Sequence, residues 1–173
     1  MNDADYKNMS AFSCGVDELD NFFRREVREC VEHHYLSAYC AVLNSGELVA
    51  AFALMNDALM IADETEKEDF IDDLKIEIDS EEIVSFFDRQ SAYPAINISH
   101  LGVQSEYQHK GIGTAIVDLV AGTFSNYNQA GCQFITVDAI NCSETIKFYH
   151  SNGFSIQTQK DIYSPTRRMY RIL

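Results

Sequence analysis

Residues 95–113 read A-I-N-I-S-H-L-G-V-Q-S-E-Y-Q-H-K-G-I-G, and their pattern decides the fold. Apolar residues alternate at Ile96 and Ile98 and continue at Leu101 and Val103, as in a partly buried strand. A polar turn over 104–110 follows, then Gly111 and Gly113 spaced G-x-G. Beyond them Ile112, Ala115, Ile116, Leu119, Val120, Thr123, Phe124 and Tyr127 recur at helical spacing, which predicts a helix with these residues on its inner face. The glycines therefore sit where a strand hands over to a helix. The first N–H groups of a helix lack internal partners and carry partial positive charge, so such a turn suits an anion. Glycine lets a phosphate approach the main chain and permits positive φ, and Lys110 adds a mobile cation at the mouth. Taken alone, the same pattern is equally that of a simple turn.

Upstream, Tyr93-Pro94 restarts the sheet after a segment, 62–90, that breaks the pattern. This segment reads as an insertion of two short acidic helices, around 67–74 and 81–89, with Ser80 capping the second. Phe70, Ile71, Leu74, Ile83, Val84, Phe86 and Phe87 are its apolar residues. Residues 57–88 hold 13 acidic and 2 basic side chains, so most of the chain's net charge of −14 lies there. The expectation is a solvated acidic face, or else a wall over an acceptor site or a dimer contact. Residues 36–43 and 47–55 are apolar strands joined by Asn44-Ser45-Gly46, a hairpin signal. Their near-continuous apolarity predicts burial on both faces. Ahead of them F-S-C-G-V-D-E-L-D-N-F-F at 12–23 opens a helix with Asp17 as its cap. Leu19, Phe22, Phe23, Val27, Cys30, Val31 and His34 face inward and Arg24, Arg25 and Arg28 outward. Residues 1–13 are expected to hold a short first strand.

Downstream, Gly131 is expected to cap the central helix and 132–140 to form the next strand. A shorter helix over 143–150 ends at Asn152-Gly153, and 161–173 closes with a strand carrying Arg167, Arg168 and Arg171. The length of 173 residues fits one domain with a sizeable core. No apolar run approaches the ~20 residues that span a membrane, and the polar N-terminus is unlike a signal peptide. Five cysteines without a C-x-x-C read as reduced thiols of a cytoplasmic protein. His33-His34 lacks the neighbours a metal site needs, so no metal is expected.

The order strand, Q-x-x-G-x-G, helix, strand, helix ending F-Y-x-x-x-G-F resembles the GNAT superfamily of acetyl-CoA-dependent N-acetyltransferases. L-G-V at 101–103, Q-H-K-G-I-G at 108–113, V-D-A-I-N at 137–141 and F-Y-H-S-N-G-F at 148–154 carry the likeness. The stretch 12–23 resembles the N-terminal region of GNAT-type toxins, which acetylate aminoacyl-tRNA. The resemblance implies an α/β (α+β) fold with a mixed, V-shaped sheet flanked by helices, in one domain over 1–173, with coenzyme A as cosubstrate. It implies that backbone groups at Leu101, Gly102 and Val103 hold the pantetheine arm. Gln108, His109, Lys110, Gly111, Ile112, Gly113 and Thr114 would cradle the pyrophosphate, and Asn141 would face the cofactor, its place not separated from that of Cys142.

Tyr149 is implied as the general acid that protonates the departing thiolate, since a phenol with pKa ≈ 10 keeps its proton at neutral pH. The rival reading of Tyr149 is an aromatic packing residue. For the amine's proton, water ranks ahead of His100, which strand alternation sets opposite Asn97 and Ser99 unless a bulge intervenes. Direct transfer to a primary amine needs no covalent intermediate, so Cys142 is not read as a nucleophile. The acidic charge favours a cationic small-molecule or protein amine as acceptor and disfavours tRNA, which a chain of this charge repels at long range. Toxin-type acetylation of aminoacyl-tRNA and a non-catalytic acyl-CoA-sensing module are the alternatives. A homodimer through the apolar residues of the insertion is a further expectation.

Overall fold

A computed structural model describes residues 3–127 and 129–173. Six strands form one mixed sheet in the order β1-β2-β3-β4-β6-β5, flanked by seven α-helices among the described residues. The strands are β1 (Ser37–Val42), β2 (Leu48–Met60), β3 (Ala92–Val103), β4 (Phe134–Ile140), β5 (Ser155–Ile156) and β6 (Thr166–Ile172). The pairs β1/β2, β4/β6 and β5/β6 are antiparallel. The chain divides into two compact units, residues 1–56 with 97–124 and residues 57–96 with 125–173.

The first unit opens with helix α1 (Asp3–Met9), not the expected strand. Met9 and, just after the helix, Phe12 are fully buried, so the segment is held by its apolar end rather than by sheet pairing. Helix α2 (Asp17–Asn21) runs through a π-helical turn (Phe22–Glu26) into α3 (Val27–Glu32). The wider turn, with i→i+5 bonds, carries Phe22 and Phe23 into the core while Arg24 and Arg25 stay outside. Asp17 is not a cap: Val16 holds that position without a side-chain hydrogen bond. Phe12, Phe22, Phe23 and Val27 pack with Leu36, Ala38 and Ala53 into one cluster. Strand β2 is buried over its first seven residues, but β1 is an edge strand with only Ala38 fully buried, so double-sided burial holds for β2 alone. Gly46, at φ +86°, closes the hairpin.

Helix α6 (Ile112–Ser125) buries Ile116, Val117, Val120 and Ala121. Its inner face is rotated from the expected stripe, leaving Leu119 59% exposed. The helix ends at Ser125, so Gly131 is not its cap.

In the second unit the acidic segment forms α4 (Glu64–Glu77) and α5 (Glu81–Asp88). Asp63 caps α4 by accepting from the Thr65 and Glu66 N–H groups. Ser80 Oγ accepts from Ile83 N–H at 3.4 Å at the start of α5, as expected. Phe70, Ile71 and Leu74 of α4 and Val84 and Phe87 of α5 are buried with Tyr93, Phe134 and Tyr170. Ile83 and Phe86 instead remain about half exposed. Aromatic rings meet at 5.2 Å for Phe70 and Tyr93 and 5.7 Å for Phe87 and Phe134. The Lys67 ammonium donates to the Phe87 and Gln90 carbonyls and to the Tyr93 hydroxyl, and desolvation lowers its pKa. The acidic pair of helices thus supplies five buried residues of this cluster, with its carboxylates on the outer side.

Candidate active site

The turn that opens α6 is built from the first unit. Strand β3 ends at Val103, a 3₁₀ turn covers Ser105–Tyr107, and His109 and Gly111 take left-handed φ of 58° and 80°. The first helical hydrogen bond runs from Ala115 N–H to the Gly111 carbonyl at 2.9 Å. The N–H groups of Ile112, Gly113 and Thr114 therefore have no carbonyl of the preceding turn to bond. Such a cradle of main-chain donors can take an anion.

The side chains around the cradle are engaged with the protein. Gln108 Nε2 donates to the Cys14 carbonyl at 2.7 Å and the Val103 carbonyl at 3.1 Å. Lys110 Nζ donates to the Glu106 carbonyl at 2.8 Å and lies 4.9 Å from the centre of the Tyr107 ring. Tyr107 in turn donates to Glu47 at 2.7 Å. Gly102 faces the packed segment before α2: a Cβ there would lie 2.8 Å from Phe12 Cζ and 3.4 Å from Cys14 Sγ. Its lack of a side chain serves a close approach inside the protein.

His100 stacks face to face on Phe22, with ring centres 3.5 Å apart and planes at 6°, and Phe23 meets it edge-on. Its Nδ1 lies 3.2 Å from Ser99 Oγ. Burial pushes its pKa down to about 4, so the ring is neutral at physiological pH and a weak base.

Asn141 and Tyr149 belong to the second unit. Asn141 follows β4, and its Nδ2 donates to the carbonyls of Ile162 at 2.9 Å and Ser164 at 2.8 Å. Cys142, exposed at the N-cap of α7 (Ser143–Ser151), has its thiol 3.2 Å from Thr145 Oγ1. Tyr149 is the buried residue of α7. Phe148 and Phe154 meet it edge-on at 5.0 and 5.2 Å. The F-Y-x-x-x-G-F spacing acquires a physical reason here. Gly153, at φ +81°, turns the chain so that Phe154 N–H reaches the Tyr149 carbonyl at 3.1 Å, and Asn152 Nδ2 ties back to the Phe148 carbonyl. Desolvation raises the Tyr149 phenol above its ordinary pKa, so it keeps its proton throughout the neutral range.

One feature of the first unit has only a partial sequence signal. A cavity of about 510 Å³ is lined by Tyr6 and Lys7 of α1, by Phe23, Arg24 and Arg25 of the π turn, and by Val27 and Arg28 of α3. Four of its seven lining residues are cationic. Arg24 is held by the Phe12 carbonyl and by Asp20. Arg28 pairs with Glu32 at 2.8 Å and lies over the Tyr6 ring. The C-terminal arginines do not add to this patch. Arg167 is buried against Asp161, Arg168 pairs with Asp57 and Asp138, and Arg171 donates to the Asn152 carbonyl. Among the described residues no group of three or more His, Cys, Asp or Glu side chains is placed to hold a metal ion. Among the described residues no helix is long and apolar enough to cross a membrane.

The mixed sheet with its flanking helices is a GNAT-like fold, and the model of the acetyltransferase (GNAT) domain matches residues 73–156. No curated protein matches the sequence. Among solved structures the chain is similar to a bacterial toxin at 17% identity and a TM-score of 0.72, covering 96% of this chain and 84% of the other. It is also similar to AtaT complexed with acetyl-methionyl-tRNAfMet, at 15% identity and a TM-score of 0.68, over 92% of this chain and 85% of that one. A third similar structure is a tyrosine-to-phenylalanine variant of the AtaT toxin bound to acetyl-CoA and to the C-terminus of the antitoxin AtaR. The identity is 14% and the TM-score 0.67, with 95% and 84% of the two chains covered.

Proposed function

We propose that this chain transfers the acetyl group of acetyl-CoA directly to the amino group of an aminoacyl-tRNA. Support for the donor comes from the GNAT fold and from the main-chain cradle at the start of α6. What carries the acceptor is the cavity with four cationic side chains on its walls, Lys7 and Arg25 together with Arg24 and Arg28, which are held by Asp20 and Glu32. The likeness to AtaT in complex with an acetylated aminoacyl-tRNA points the same way. This departs from the acceptor favoured by total charge alone. Local charge governs a contact because the Debye length is only ~8 Å at physiological salt, and residues 57–88, with 13 acidic and 2 basic side chains, carry most of the net negative charge of the chain.

In the proposed reaction the neutral amine attacks the thioester carbonyl carbon. The C–N bond forms, the C–S bond breaks, and coenzyme A leaves as a thiolate. Tyr149 gives its phenolic proton to the sulfur and recovers one from solvent. The proton lost by the amine passes to water, since an imidazole held at about 4 by burial gives little driving force for its removal. The cradle of main-chain donors at 111–114 binds the coenzyme pyrophosphate, and N–H groups of β3 bond the pantetheine arm and polarise the thioester oxygen.

The test is release of free coenzyme A from acetyl-CoA on addition of charged tRNA. Tyr149→Phe should reduce turnover by roughly 10²-fold or more, the range of general acid catalysis, with acetyl-CoA affinity nearly unchanged. Full turnover in that variant would remove Tyr149 from the chemistry. A second reading, acetylation of a cationic small molecule, rests on the acidic outer surface of α4 and α5. Release of coenzyme A with a polyamine and none with charged tRNA would favour it.

A further inference from the structure

Asp20 is an acidic side chain only 5% exposed, and its partners lead toward the coenzyme cradle. Its Oδ1 accepts from Cys14 N–H at 2.7 Å, and its Oδ2 accepts from Ser13 Oγ at 2.9 Å and from an Arg24 terminal nitrogen at 3.5 Å. Arg24 Nε also donates to the Phe12 carbonyl. One side of the 12–14 segment is thereby fixed to the helical arm that begins at α2.

The opposite side of the same two residues holds the loop before α6. Ser13 N–H donates to Gln104 Oε1 at 2.8 Å. The Ser13 carbonyl accepts from Ser105 N–H at 2.9 Å and from Ser105 Oγ at 3.1 Å. The Cys14 carbonyl accepts from Gln108 Nε2 at 2.7 Å. Three loop residues, Gln104, Ser105 and Gln108, thus rest on the main chain of Ser13 and Cys14, where the carboxylate holds the N–H of the central peptide and the Ser13 hydroxyl. Gly15, at φ +83°, allows the chain to leave this clamp, and a Cβ there would lie 3.7 Å from Ser105 Oγ. Burial alone would lift the Asp20 pKa, but the hydrogen bonds from Cys14 and Ser13 and the charge of Arg24 outweigh it and hold the carboxyl below its ordinary value. The side chain is therefore ionised and acts as an acceptor on both oxygens.

We propose that Asp20 is a positioning residue for coenzyme A: through Ser13 and Cys14 it holds the 104–108 loop so that the cradle at 111–114 meets the pyrophosphate. The inference rests on the proposed use of acetyl-CoA and gives the 12–23 motif a physical task. Gln108 then works as a strut for the loop and not as a direct ligand of the phosphates.

Asp20→Asn keeps the shape of the side chain but loses the charge and one acceptor. It should weaken acetyl-CoA about tenfold, the order of one charge-assisted hydrogen bond, and raise KM for acetyl-CoA with kcat at saturation changed less than about twofold. Ser13→Ala removes a single bond to the carboxylate without altering a buried charge, and should shift KM in the same direction by a smaller factor. The decisive comparison uses acetyl-pantetheine, a donor without the phosphates. Both variants should use it as well as the wild-type protein does. An equal loss with both donors, or acetyl-CoA affinity unchanged in both folded variants, overturns the inference. Calorimetry of coenzyme A alone separates the two levels. Wild-type protein that fails to bind it overturns the proposed function and this inference together, whereas binding by wild type and equal binding by Asp20→Asn overturns only the inference.

Discussion

Replacing Gly102 by alanine would place a methyl carbon 2.8 Å from Phe12 Cζ and 3.1 Å from Phe12 Cε1, well inside van der Waals contact. Phe12 has no room to move away. It is fully buried and meets Phe23 edge-on, with ring centres 5.2 Å apart, in the core under α2 and α3. Overpacking of this kind costs about 1–3 kcal/mol, which in a chain of this size lowers Tm by roughly 3–10 °C. Urea and thermal unfolding measure the loss. The cause is isolated by adding Phe12→Leu, which removes both offending ring atoms. That change alone should destabilise the protein by about 1–2 kcal/mol, yet cost less, or even stabilise, when alanine already stands at 102. A coupling of about 1 kcal/mol or more between the two sites is the expected signature. Gly102→Ala with wild-type stability, or strictly additive effects of the two changes, would refute the packing role. The glycine would then have to be explained by ligand access.

Further tests concern the acid and the acceptor. Burial lifts the Tyr149 pKa above its ordinary value, so the donating form persists until the pH exceeds that raised value. Turnover should climb with pH as the acceptor amine loses its proton, and should not fall again below about pH 10. A descending limb near pH 9 in wild-type protein, absent from Tyr149→Phe, would contradict this assignment. Lys7→Ala and Arg25→Ala in the cationic cavity should each weaken tRNA binding without altering acetyl-CoA affinity. Each should also reduce the slope of log affinity against log salt by roughly one unit, and unchanged slopes would take the RNA backbone away from this cavity.

The parts of the site legible in the sequence are those made by local pattern. The positive-φ turn at 109–111 that leads into α6 and the F-Y-x-x-x-G-F end of α7 are each made by residues close together in the chain. Periodicity loses its power where a helix is apolar on several sides. In α6 Val117 and Ala121 are as apolar as Leu119, so spacing alone did not say which of them face the core. Charge in the sequence says still less, because whether a cation is available depends on carboxylates far along the chain. Arg168 is neutralised by Asp57 and Asp138, and Arg167 by Asp161. Arg25, one of three arginines within five residues, lines a cavity with Lys7, which lies on a helix where the sequence predicts a strand.

Asp20 is the sharpest case. Within D-E-L-D the three acids look alike, and Asp17, placed to cap, does not. Asp20 acquires its role only because Ser13 and Cys14 are also grasped by Gln104, Ser105 and Gln108, some 90 residues later. A carboxylate with that duty obeys no local period. The available signal is the motif as a whole, in which a small polar residue, a thiol and a positive-φ glycine precede the helix that carries the acid. Such a combination is costly to keep unless the backbone of the 13–15 turn must be held in one orientation. A turn held that firmly implies that something outside it, here the loop at the mouth of α6, depends on its position.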